Sequence, residues 1–149
     1  MTEAYYDLTR LIERLHRRVL DVLRAELDRL DVVDINAVQC LLLSNIGKEE
    51  VNVRNLMDRG YYLGSNASYN IKKLVESGYL EQQRSPHDRR STLLKVSQKG
   101  LDLCAKIAVS EEQRAATLAT GDGGKSMEDA CRTLRGLERA WETNTPYRA

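Results

Sequence analysis

Residues 52–99 read NVRNLMDRG (52–60), YYLGSNASYNIKKLVESGYL (61–80) and EQQRSPHDRRSTLLKVSQK (81–99), and this stretch decides the architecture. Asn52 is a helix-capping residue type, and Val53, Leu56 and Met57 share one face of a two-turn helix that stops at Gly60. After the turn 61–64, a second helix is expected over about 65–77. Ala67, Ile71, Leu74 and Val75 form its apolar face at intervals of four, three and one. The opposite face carries Ser65, Asn66, Ser68, Tyr69, Lys72 and Lys73, with no acid before Glu76. Gly78 ends this helix. Residues 79–84 and 91–96 then read as two strands, the second with Thr92, Leu94 and Val96 alternating with Leu93 and Lys95, and Ser85-Pro86-His87-Asp88 between them is turn chemistry, so the pair forms a hairpin. Its loop carries Arg84, His87, Arg89 and Arg90.

A helix-turn-helix followed by a basic hairpin is the arrangement of a winged helix. The face from Ser65 to Lys73 is short, hydrogen-bond rich and cationic, which suits insertion into a major groove. A plain solvated face is the competing reading, although such faces normally mix in acids.

The flanks supply a platform. Over Thr2–Arg29 apolar residues recur at Leu8, Leu11, Leu15, Val19, Leu23 and Leu27, spacings of three or four that make one long amphipathic helix. Its stripe is too long for one neighbour to cover, which marks a dimer element; packing wholly within its own chain is the alternative. Asp34 serves as N-cap of the next helix, INAVQCLLLSNI (35–46), which stops at Gly47. Cys40 to Leu43 is apolar nearly all round, so this helix is the buried centre. Residues 47–50 form a loop and Val51 a minimal first strand. Downstream, Ser97 caps a fifth helix running to about Ala119. TGDGGK (120–125) is a glycine-rich turn; it lacks the preceding strand and the spacing of a phosphate loop. Ser126-Met127-Glu128-Asp129 reads as a capping box opening a last helix with Ala130, Leu134, Leu137 and Trp141, and Pro146 marks its end. The fold class is therefore mainly α with a small β-hairpin: a winged helix-turn-helix flanked by N- and C-terminal dimerisation helices. One domain is expected over 1–149, with a winged-helix lobe at 34–97 and a helical lobe from 2–30 and 98–142.

Composition narrows the function. With 149 residues, 42% apolar and 30% charged, the chain is an ordinary helix-rich one of single-domain size. No apolar run approaches the ~20 residues of a membrane span, and MTEAYYDLTR lacks the features of a secretion signal; a cytoplasmic protein is expected. Cys40, Cys104 and Cys131 form no CxxC pair and no metal-ligand spacing, so each is expected as a small buried hydrophobe. No metal and no cofactor is expected. Two histidines and dispersed acids assemble no nucleophile, base and orienter, which argues against an enzyme. The formal net charge of +1 hides a division: nine basic against four acidic residues lie between Arg54 and Lys99, and 14 against 18 elsewhere. A +5 centre within a −4 remainder favours a polyanion on one face.

In its order of elements and length the sequence resembles the MarR family of bacterial transcriptional regulators. The resemblance is sharpest over IKKLVESGYLEQQRSPHDRRSTLLKVSQKG (71–100). Leu74, Gly78 and Leu80 fit that family's Leu-x-x-x-Gly-x-Leu/Val spacing, Asp88-Arg89-Arg90 its wing Asp-x-Arg signature, and Ser97-x-x-Gly100 its closing Leu-Thr-x-x-Gly. The resemblance implies a dimeric, sequence-specific regulator of double-stranded DNA that acts on a pseudo-palindromic operator. It places Ser65, Asn66, Ser68 and Tyr69 at base-contacting positions. It sends Arg90 toward a minor groove, with Asp88 holding its guanidinium, in keeping with the attraction of arginine to narrow grooves. Lys72, Lys73, Arg84 and Arg89 are assigned to phosphates, which position without reading sequence. Three departures bear on which operator is read: Ser85 stands where Asp is frequent, Tyr69 where Arg is common, and the turn 60–64 lacks the usual leucine and Ser/Thr cap.

Family members are often released from DNA by a small, frequently aromatic effector or by cysteine oxidation, and a repressor or dual regulator is the expectation. No cysteine precedes Cys40, which has no adjacent base to lower its pKa. His16 is a candidate for touching a small aromatic or amphipathic ligand, with a plain surface histidine as the competing reading. A winged helix used for protein contact remains the alternative function; the cluster of Arg84, Arg89, Arg90, Lys95, Lys72 and Lys73 speaks against it.

Overall fold

The computed structural model describes residues 1–58, 64–88 and 90–144. In chain order these form α1 (Thr2–Arg29), α2 (Ala37–Ile46), β1 (Val51–Asn52), α3 (Val53–Asp58), α4 (Gly64–Glu76), β2 (Leu80–Arg84), β3 (Thr92–Val96), α5 (Gln98–Leu118) and α6 (Gly123–Asn144). The mainly α expectation with a small sheet holds, and α1 has the bounds its periodicity predicts. The chain divides into two compact units, 1–107 and 108–149, and α5 begins in the first and runs into the second.

Within the first unit, α2 is the centre: Cys40, Leu42 and Leu43 are completely buried. Leu23 and Leu27 of α1 join the same core, with Leu56 of α3, Ile71 and Leu74 of α4, Leu80, Leu94 and Val96 of the sheet, and Leu103 and Ile107 of α5. The cap of α2 differs from expectation. Asn36, not Asp34, caps it: Asn36 Oδ1 accepts from the Gln39 amide at 2.9 Å and Gln39 Oε1 accepts from the Asn36 amide at 3.0 Å, a reciprocal box. Two capping types stand two residues apart here, and tertiary contacts claim Asp34, whose carboxylate meets Tyr79 and Lys99.

The sheet is antiparallel in the order β1-β3-β2, with Val51 opposite Leu94, Leu80 opposite Val96 and Arg84 opposite Thr92. Leu94 and Val96 point into the core while Lys95 is exposed, the alternation of a half-buried strand. Asn52 accepts from the Arg54 amide at 2.8 Å and so starts α3 as expected.

In the second unit, α6 begins at Gly123, so the expected capping box at Ser126 does not form. The Ser126 amide is already inside the helix, bonded to the Asp122 carbonyl at 3.0 Å. A Cβ at Gly123 would collide with the Leu118 carbonyl, so glycine here lets α6 start early. Cys131 is exposed on α6, against the expectation of burial, whereas Cys40 is buried and Cys104 half-buried. No helix among the described residues is long and apolar enough to cross a membrane.

Candidate nucleic-acid interface

The end of α4 and the root of the hairpin are set by glycine chemistry. Gly78 has φ of 81°. Its amide bonds the Val75 carbonyl at 3.1 Å and the Tyr79 amide bonds the Leu74 carbonyl at 2.9 Å, the two bonds of a Schellman motif. That is the physical content of the spacing from Leu74 to Gly78 to Leu80. Gly100 serves close approach: a Cβ there would fall 2.6 Å from the Tyr79 carbonyl oxygen, where the first turn of α5 crosses the end of α4. Ser97 ties the crossing together, its Oγ donating to the Gly78 carbonyl at 2.6 Å and accepting from the Gly100 amide at 3.2 Å.

On α4, Ala67, Asn70, Ile71 and Leu74 are buried, while Asn66, Ser68, Tyr69 and Lys72 are exposed. Lys73 is half-buried and its Nζ lies 5.7 Å from the centre of the Tyr69 ring. Both lysines approach Glu76, at 4.0 Å from Lys72 and 3.6 Å from Lys73. These pairs are solvent-exposed and hold the lysines only weakly, which leaves them available to phosphate. A groove of about 270 Å³ runs between α4 and the sheet, lined by Ser68, Lys72 and Glu76 on one side and Gln82 and Thr92 on the other. Ser68 and Lys72 of α4 thus border the same groove as the strands that carry the wing.

The wing departs from expectation in one contact. Asp88 Oδ1 accepts from the Arg90 backbone amide at 2.9 Å and Oδ2 from Ser91 Oγ at 3.2 Å. Among the described residues no ion pair joins the Asp88 carboxylate to the Arg90 guanidinium. A carboxylate two residues before an amide closes an Asx turn more readily than it reaches around to its neighbour's side chain. Asp88 therefore shapes the loop through the main chain. Arg84, His87 and Arg90 are exposed. Arg89, the side chain of Ser65 and the turn 59–63 lie outside the described residues.

Two polar contacts were not anticipated. Gln39 Nε2 donates to Asn70 Oδ1 at 3.3 Å, linking α2 to α4. Asp34 Oδ1 accepts from the Tyr79 hydroxyl at 2.8 Å and its Oδ2 pairs with Lys99 Nζ at 3.0 Å, while that Nζ lies 4.2 Å from the centre of the Tyr79 ring. Burial pushes the Asp34 carboxyl upward, but the hydrogen bonds from Tyr79 and Lys99 outweigh it and hold the group below its ordinary value. Burial, then the neighbouring Asp34, pushes the Tyr79 phenol up to about 12. The signal for the first contact was legible: Asn70 is a polar residue at helical spacing within the stripe of Ala67, Ile71 and Leu74.

Elsewhere, burial and then Cys104 push the Cys40 thiol up to about 12, far from a reactive thiolate. Burial also raises the Cys104 thiol, with a hydrogen bond from Ser44 opposing it. His16 is exposed on α1.

A family profile described as a winged helix DNA-binding domain matches residues 35–100. The chain is 39% identical over 145 residues to the exopolysaccharide II synthesis transcriptional activator ExpG of Rhizobium meliloti (strain 1021), covering 97% of this chain and 75% of that protein. Among solved structures, FabT of Streptococcus pneumoniae in complex with DNA is similar with a TM-score of 0.75 and 18% identity, covering 95% of this chain and 99% of that one. A cysteine-to-serine mutant of MarR from E. coli, complexed with operator DNA, is similar with a TM-score of 0.69 and 21% identity, covering 90% and 97%. At these identities the structures share the fold.

Proposed function

This chain belongs to the MarR family of winged-helix, DNA-binding transcriptional regulators, and from that premise we propose that it acts as a homodimer on a pseudo-palindromic operator. Two α4 helices enter adjacent major grooves about one helical turn apart. Ser65, Asn66, Ser68 and Tyr69 read base edges, Lys72, Lys73, Arg84 and Arg89 hold phosphates, and Arg90 reaches a minor groove from a loop that Asp88 braces. The observation that carries this reading is the division of α4 into a buried apolar side and an exposed side of Asn66, Ser68, Tyr69 and Lys72, beside a wing with exposed Arg84 and Arg90. The duplicate is supported by exposed apolar residues on three helices: Leu11, Leu15 and Val19 on α1, Val109 and Leu118 on α5, Met127 and Leu134 on α6. The organisation follows as a winged-helix lobe at 34–97 and a dimerising lobe from 2–30 and 98–142. As a regulator of its family it is a repressor or dual regulator that a small aromatic or amphipathic effector releases from DNA. The activator named among its relatives agrees with the dual sign.

The test is the salt dependence of duplex binding. Each neutralised phosphate adds roughly 0.9 to the slope of log affinity against log salt, so a dimer using the basic residues of two heads gives a steep slope. A flat response on duplex containing the protein's own promoter favours the alternative, a winged helix that docks on protein.

A further inference from the structure

The recognition element α4 is held to the rest of its lobe by an apolar face and by two polar attachments, and the attachments share an origin. Gln39 Nε2 donates to Asn70 Oδ1, and both residues are buried. Gln39 has little freedom of its own, because its side chain and amide are both engaged with Asn36 in the capping box. Beyond the C-terminal end of α4, Tyr79 donates to Asp34 Oδ1, Ser77 Oγ to the Asp34 carbonyl at 3.4 Å, and Lys99 Nζ to both Asp34 Oδ2 and the Ser77 carbonyl, the last at 2.8 Å. Both attachments therefore end on the six residues from Asp34 to Gln39.

We propose that this segment is a polar anchor fixing the rotation and axial position of α4, which makes Asp34, Gln39, Asn70 and Tyr79 positioning residues for sequence discrimination. The inference rests on the DNA-reading function proposed above. None of the four lies on the exposed face of α4. The apolar contacts of Ala67, Ile71 and Leu74 hold α4 against the core but are non-directional, so small rotations change their area little. Hydrogen bonds are directional and weaken steeply off axis. One of them within the helix, at Asn70, and one just past its C-terminal end, at Tyr79, together specify both its rotation and its slide. The stakes are high for a reader, because a slip of one residue turns the face by about 100°. A buried polar pair of this kind adds little stability over an apolar pair of the same volume, yet it excludes alternative packings.

The experiment uses the full chain and two probes: a duplex enriched by the wild-type protein from a random-sequence pool, and a scrambled duplex of the same composition. Gln39→Met/Asn70→Leu replaces the pair with apolar side chains of similar volume and also gives up the Gln39 half of the capping box on Asn36, a loss that Tyr79→Phe does not share. It is expected to melt within a few degrees of wild type, to keep the same salt slope, and to lose roughly tenfold of the preference for the selected duplex, the discrimination carried by one well-read base pair. Tyr79→Phe, which deletes a single hydroxyl, is expected to lose about threefold in the same direction, one weaker constraint on the same reading. A folded double variant with the wild-type preference overturns the anchor. So does equal weakening on both duplexes, which is what a merely structural role produces. Should the double variant fail to fold, Tyr79→Phe decides alone, and an unchanged preference there overturns the proposal. A wild-type protein that enriches no sequence overturns the DNA-reading function and the anchor with it.

Discussion

Aliphatic side chains are put to opposite uses in two regions of this molecule. In the winged-helix region Leu42, Leu43, Leu56, Leu74 and Leu94 are 0% exposed. On the terminal helices Leu15, Leu118 and Leu134 are 52%, 65% and 39% exposed, although they too lie on helical apolar stripes. The contrast runs along α1 itself: Leu23 and Leu27 are buried against α2, while Leu11, Leu15 and Val19 are not. One region completes its core within the chain. The other presents stripes that a single chain leaves in water, at a cost of about 25 cal/mol per Å² of apolar surface. This division is the one the proposed pairing of two chains requires, and each half can be broken separately.

The largest effect belongs to the complete core. Leu42→Ala removes a side chain with no exposed surface and leaves a cavity at the centre of α2, so it is expected to cost roughly 3–4 kcal/mol of stability. Urea denaturation at fixed protein concentration checks this. A loss below ~1 kcal/mol, the level of a surface change, would mean that the region is not the close-packed unit described.

The converse break is Leu15→Glu with Leu134→Glu. Charges on the two stripes are expected to weaken self-association by a hundredfold or more, roughly the penalty of burying unpaired carboxylates. The reading head should keep its fold. Sedimentation equilibrium reads the association and circular dichroism the fold. An unchanged dimer would show that these stripes are not the pairing surface.

Legibility in the sequence follows the same division. Wherever periodicity decides, the elements were readable: α1 from Thr2 to Arg29, the polar and apolar sides of α4, the hairpin around residues 85–91. Glycines with a forced geometry were readable too, since Gly47 and Gly78 both adopt positive φ. What failed were choices between local options that only tertiary contact resolves. Asp34 and Asn36 are both good caps, and the choice fell to Asn36 because Tyr79 and Lys99, 45 and 65 residues away, occupy Asp34. Ser126 had a capping pattern, yet two glycines allowed α6 to start before it. Cys131 sat on a helical stripe, but a stripe says which side is apolar and not whether anything covers it. At the site, Asn70 was visible as a polar break in an apolar pattern, whereas its partner Gln39 could not be paired with it from spacing alone.

A third effect sharpens the reading head. Arg90→Ala is expected to lower operator affinity by about tenfold, in the range of a charged contact to a groove. Arg114→Ala, on the terminal region, is expected to change it less than twofold, as a surface ion pair with Glu111 would. Fluorescence anisotropy on one duplex compares them, and equal losses would contradict the wing assignment. Because Asp88 holds the Arg90 main chain, Asp88→Ala should also weaken binding, by loosening the loop. A gain on removing that acid would mean it acts only as a repelling charge.

The smallest effect tests the contact that ties α4 to α2 and α5. Tyr79→Phe removes the hydrogen bond to Asp34, about 1 kcal/mol at neutral pH. Its pH dependence has a definite sign at each end. Tyr79 is raised from 10.0 to about 12, so its contribution is complete below pH 10.0 and is lost as pH climbs toward 12, because the unfolded tyrosine ionises first. Asp34 is lowered from 3.8, so its contribution is complete above that value and is lost as pH falls through the folded pKa below it. Cys40 also loses stability as pH rises from 9.0 toward about 12, but it does so in both proteins and cancels in their difference. The gap between wild type and Tyr79→Phe should therefore stay level between about pH 5 and 9 and narrow on both sides. Urea midpoints across pH measure it. A gap that persists undiminished at pH 12 would overturn the assignment of the difference to the hydrogen bond between the Tyr79 hydroxyl and Asp34. Self-association should not respond to this substitution, since the contact lies wholly within the region that completes its own core.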